Sequence, residues 1–183
     1  MTRRVFAILG MACLVVSSVH GQSRSRKEPE FTHAFQSDKV HFTAVFTEKP
    51  RVVTRKHESN AGTIAVTTVS VETKELIYAI AETTYPEAVK DADPAKLLAS
   101  AMDGLSKNGG KVVAKEPIRL TATGDAKIDG FEVIVQYGSN QVRTRIAIVN
   151  RTLIQASVTG GEKATKGTSA EKFLRAVEIN PGS

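Results

Sequence analysis

The stretch QVRTRIAIVNRTLIQASVTG (Gln141–Gly160) constrains the fold more than any other, because it alternates like two strands joined by a tight turn. Strand side chains alternate between faces, so turn length decides which residues share a face. Val142, Thr144, Ile146 and Ile148 make one apolar row, and Ile154, Ala156 and Val158 make a second. A two-residue turn at Asn150-Arg151 sets Ile146 opposite Gln155 and sends the two rows to opposite faces. A three-residue turn over Val149–Arg151 pairs Ile148 with Thr152 and Ile146 with Ile154, gathering both rows on one face. For a sheet with one buried face only the second register uses both rows, so the three-residue turn is predicted. The left-handed residue is Asn150 or Arg151, and Asn accepts that conformation more readily. Arg143 and Arg145 then lie on the far face, read as a solvated wall.

Other elements follow from similar patterns. KVHFTAVF alternates Val40, Phe42, Ala44 and Phe46 against Lys39, His41, Thr43 and Val45, a half-buried strand; EKPR turns the chain, and RVVTRKH is an exposed strand. In TIAVTTVSVE the apolar phase shifts from Ile64 and Val66 to Val69 and Val71, which predicts a bulge near Thr67 or Thr68. ELIYAIAETTY is apolar on both faces from Leu76 to Ala81, as in a central strand with both sides covered. Asp93 caps a helix that opens on Pro94, turns Leu97, Leu98, Ala101, Met102 and Leu105 to the core, and stops at Asn108-Gly109-Gly110. Thr168 and Glu171 have capping-box spacing before Phe173, Leu174 and Val177. Between the helices KVVAKEPIRLT, IDGFEVIVQY, QVRTRIAIV and TLIQASVT read as a four-strand meander. The predicted class is therefore α+β: an antiparallel, largely meandering sheet of about six to seven strands packed with two helices.

The first 21 residues stand apart, with Arg3 and Arg4 ahead of an apolar run from Val5 to Val16 and small residues leading to Gly21. This is the pattern of a secretory signal peptide, too short for a membrane span, with cleavage predicted before Gln22. Cys13 lies inside the apolar run, a poor place for a lipidated cysteine. The expected organisation is residues 1–21 as signal peptide, 22–30 as a flexible basic linker and 31–183 as one domain, exported to the periplasm or secreted, with no transmembrane segment after cleavage. Cys13 is also the sole cysteine, so the mature chain would have neither disulfides nor thiolate chemistry.

The formal charge of +6 does not indicate a nucleic-acid binder, because removing residues 1–28 leaves 20 cations against 18 acids. RSRK belongs to the linker, and no basic patch is interleaved with aromatics; nucleic acid is not expected as a partner.

The succession HFTAVFTEKP, LLASAMDGLSKNGGKVVAKEPIRL, GFEVIVQY, RTRIAIVNRTLIQASVTG and AEKFL resembles a group of exported, mostly uncharacterised bacterial domains whose fold is similar to that of the PsbP-like proteins. The resemblance covers about residues 31–180. Where such domains usually have glycine before the NR pair this chain has Val149, and where an aromatic often follows it has Leu153-Ile154. The resemblance implies accessory or binding roles without catalysis and carries no site residue across.

Candidate chemistry is thin. His33, His41 and His57 make a metal site only if the first strands form a hairpin with His41 opposite His57; surface histidines are the preferred reading. Asp125, Asp129 and Glu132 could supply paired carboxylates, but read better as solvated charges, with Glu132 on a strand's outer phase. No nucleophile elbow is present, and NGGK ends a helix instead of opening one. Asn150-Arg151-Thr152 matches a glycosylation sequon by coincidence in a hairpin turn. No catalytic, cofactor-binding or metal residue is assigned, and no cofactor is expected. The preferred function is an exported module binding an unknown protein or small ligand. The alternatives are a carrier of a small apolar ligand or a hydrolase with residues that converge only in space.

Overall fold

A computed structural model describes residues 28–38, 41–59, 62–107, 109–123 and 127–181. The signal-peptide, Cys13 and RSRK readings, and those for Val40, Asn108 and Asp125, lie outside the described residues. The strands are β1 (His33–Gln36), β2 (Phe42–Phe46), β3 (Arg51–Ser59), β4 (Gly62–Glu72), β5 (Leu76–Thr84), β6 (Lys111–Thr121), β7 (Lys127–Tyr137), β8 (Asn140–Val149), β9 (Thr152–Gly161) and β10 (Glu178–Ile179). The helices are α1 (Pro94–Lys107), α2 (Glu162–Thr165) and α3 (Thr168–Ala176). Strands β3-β4-β5-β9-β8-β7-β6 form one antiparallel sheet in that order, so the expected α+β class and meander are present. A second sheet, β1-β2-β10, was not anticipated. It takes β2 away from β3, so KVHFTAVF and RVVTRKH do not pair.

The hairpin takes the register that sequence reasoning set aside. Val149 pairs with Thr152 and Ile146 with Gln155, so the turn is Asn150-Arg151. Asn150 has φ 54°, the left-handed backbone such short turns need. The two apolar rows do point to opposite faces, and neither is wasted, because both faces of this part of the sheet are covered. Ile146 and Leu153 join Leu97, Leu98, Ala101 and Leu105 of α1 in one core. Ala147, Ile154, Ala156 and Val158 join the small sheet and α3 in the other. Phe173 of α3 is central there, with ring centroids 5.1 Å from Tyr78 and 5.4 Å from Phe46.

Three local expectations meet the same layering. The phase shift in β4 is no bulge, since its pairing with β3 and β5 is continuous. Val69 and Val71 face the small sheet, while Ile64 and Val66 belong to the other face, where burial is partial. The bulge lies in β6, between Val112 and Ala114. Asp93 behaves as expected, its Oδ1 accepting the Ala95 amide at 2.9 Å. The capping box does not form: Gly167 is the N-cap of α3, no side chain caps it, and Glu171 is engaged elsewhere.

Candidate functional site

Among the described residues, the densest group of charges sits where β7, β8 and α3 meet. On β8, Arg143 and Arg145 are one pleat apart on the α3 side of the sheet, and β7 brings Glu132 directly opposite Arg145. Helix α3 packs its Phe173 and Leu174 into the core, and that docking carries Glu171 over the two arginines. A closed ring results. Glu132 accepts from Arg143 Nε at 2.8 Å through Oε1 and from Arg145 Nε at 2.8 Å through Oε2. Glu171 accepts from Arg143 Nη2 at 2.5 Å and from Arg145 Nη2 at 3.2 Å. Arg175, one turn on, adds a third cation to Glu171.

The arginine side chains retain only 14% and 15% of their exposure and Glu132 16%, so this face is not the solvated wall that the three-residue turn implied. Glu132 is likewise not an outer-phase charge. Burial opposes ionisation of both carboxyls, but the arginine hydrogen bonds and charges outweigh it. Glu132 is held below the usual carboxylate range, and Glu171 is lowered to about 2. For Arg143 burial again works against the charge, and Glu132 and Glu171 more than restore it. Every carboxylate oxygen in the ring therefore accepts from an arginine, which leaves none poised as a general acid or base at neutral pH. The arrangement is chemically a joint, fastening α3 to the sheet.

One other pair has catalytic character. His41 Nδ1 lies 2.9 Å from Glu82 Oε1, and Glu82 is a buried acid on the interior strand β5. The carboxylate holds the imidazole ring in place through Nδ1. Ser37 is nearby, but its Oγ accepts the amides of His41 at 2.8 Å and Phe42 at 3.3 Å, an anchoring role. The pair thus links the β1–β2 connection to the large sheet.

The other sequence candidates do not converge. His33 pairs with Phe46 in the small sheet and His57 with Ile64 in the large one, so His41 has neither across from it. Among the described residues no group of three or more His, Cys, Asp or Glu could hold a metal ion. Asp129 makes a 3.5 Å exposed pair with Arg119, away from the Glu132 ring. Asn150 donates to the Pro181 carbonyl at 3.0 Å. The ring was missed because the hairpin was given one buried face; its two apolar rows already implied two.

No protein-family profile and no curated protein matches this chain. Among solved structures it is similar to cyanobacterial PsbP (CyanoP) from Synechocystis sp. PCC 6803, determined in solution. That similarity has a TM-score of 0.52 at 8% identity and covers 87% of this chain and 98% of that one. A seven-stranded antiparallel sheet with a small second sheet and helices on its faces, matched over that span, gives this chain a PsbP-like fold.

Proposed function

We propose that the protein is an exported accessory or binding module without catalysis of its own. The observation that carries this reading is the closed ring of Glu132, Arg143, Glu171 and Arg145, in which the richest cluster of ionisable groups is spent on fastening a helix. The PsbP-like fold supports it, and the signal-peptide pattern of residues 1–21 supports export. Among the described residues no helix is long and apolar enough to cross a membrane. The hydrolase alternative draws on His41 and Glu82, but the hydroxyl beside them faces backbone amides.

The test is size-exclusion chromatography of the protein from an extracytoplasmic fraction, with mass spectrometry of its N-terminus. A chain starting at Gln22 that elutes with a partner, and leaves it at high salt, is expected. A chain retaining residues 1–21, or turnover of ester, phosphoester or glycoside substrates that His41→Ala abolishes, would contradict the proposal.

A further inference from the structure

The two edges of the large sheet are not alike. Strand β6 is interrupted by the Val112–Ala114 bulge and carries Pro117, both of which blunt an edge against further pairing. Strand β3 has neither. Its nine residues pair with β4 without a register shift, and seven of them are exposed. The outward backbone groups of such an edge are a template for another strand.

The side chains of β3 say what that strand must be. Arg51, Val53, Arg55 and His57 point to one face, and Val52, Thr54, Lys56 and Glu58 to the other. Arg51, Arg55 and Lys56 form no ion pair among the described residues, whereas Glu58 accepts from Thr63 Oγ1 at 2.9 Å and 3.0 Å. Val52 is 50% exposed, one of the few large apolar side chains left so. A second copy of the chain is a poor occupant, since antiparallel pairing about the strand centre would set Arg55 against Arg55. Nucleic acid would use the cations but not the backbone edge, and no Phe, Tyr or Trp lies on β3 as a stacking platform.

We infer that β3 is the docking edge for an extended acidic segment of a partner protein, which adds to the sheet as an eighth strand beside β3. Acidic residues of the added strand lie against Arg51 and Arg55 on one face, and on the other face an apolar residue covers Val52. This deepens the reading of the chain as a binding module and rests on it.

The probe is a synthetic peptide of matching length alternating glutamate with valine and threonine, mixed with the mature protein and followed by residue-resolved amide hydrogen exchange and calorimetry. Slowed exchange at alternate β3 amides is expected. Binding should weaken about tenfold in Arg51→Glu/Arg55→Glu, a loss near 1.4 kcal/mol, and more at low salt than at high. A lysine-for-glutamate peptide should not bind. Absence of β3 protection, binding unaffected by the double reversal, an oligonucleotide that binds as well as the peptide, or peptide-free dimerisation through β3 would each overturn the inference. If β3 is unprotected while the native protein still elutes with a partner, the docking edge fails and the binding module stands. If β3 is protected in a protein that turns over substrate, the reverse holds.

Discussion

At the scale of single residues, four charged side chains decide how α3 is held to the sheet. An arginine-carboxylate pair taken out of water loses hydration that only good geometry and multiple hydrogen bonds recover. Here each arginine bridges both acids and each acid bridges both arginines, so no charge in the ring is left alone. Because Glu171 has a folded-state value of about 2 against an ordinary 4.5, its contribution is complete above about pH 4.5 and is lost as pH falls towards 2. Denaturant unfolding at a series of acid pH values should therefore show wild-type stability falling through that window, with a shallower fall in Glu171→Gln; identical slopes would remove Glu171 from the ring. None of this was legible from sequence, because Glu132, Arg143 and Glu171 are neighbours only through strand pairing and helix docking. Asn150 was legible, since its tolerance of positive φ is a property of the residue itself.

At the scale of elements, most strands and α1 follow from alternation and caps, and the departures share one cause. The sequence pattern implied two covered faces only at Leu76–Ala81; with one buried face assumed elsewhere, the hairpin wanted a three-residue turn and β4 wanted a bulge. With α1 on one face and α3 with the small sheet on the other, both patterns fit unbroken strands. The close approach of the middle strands has its own requirement at Gly130 of β7. A Cβ there would run into the Ile146 carbonyl oxygen and also meet Ala147 and Leu120 at 3.2 Å. Gly130→Ala is expected to cost about 2 kcal/mol, since packed strands must separate to admit the methyl. Gly161→Ala, where a Cβ meets nothing within 4 Å, should stay within about 0.5 kcal/mol. Equal effects in thermal unfolding would mean that β7 and β8 can part without loss.

At the scale of the whole molecule, the large sheet divides into a covered part and an open edge. Strands β5, β9, β8 and β7 supply residues to the two cores, while β3 is left with exposed side chains and cations that have no partner among the described residues. Sequence alone could reach the class of the fold, because hydrophobic patterning carries it. It could not reach the site, because neither the ring nor the free edge is a motif; each exists only in the topology. The central claim is that Arg143 and Arg145 form an internal joint, so that recognition falls to the edge. Urea unfolding of the Arg143→Ser/Arg145→Ser protein tests it directly. Stripping both cations leaves Glu132 without its arginine partners and Glu171 with Arg175 alone, and a loss of about 2–3 kcal/mol is expected, below the range for fully buried pairs because some exposure remains. A change within about 0.5 kcal/mol, the range of ordinary surface substitutions, would contradict it and return the two arginines to solvent.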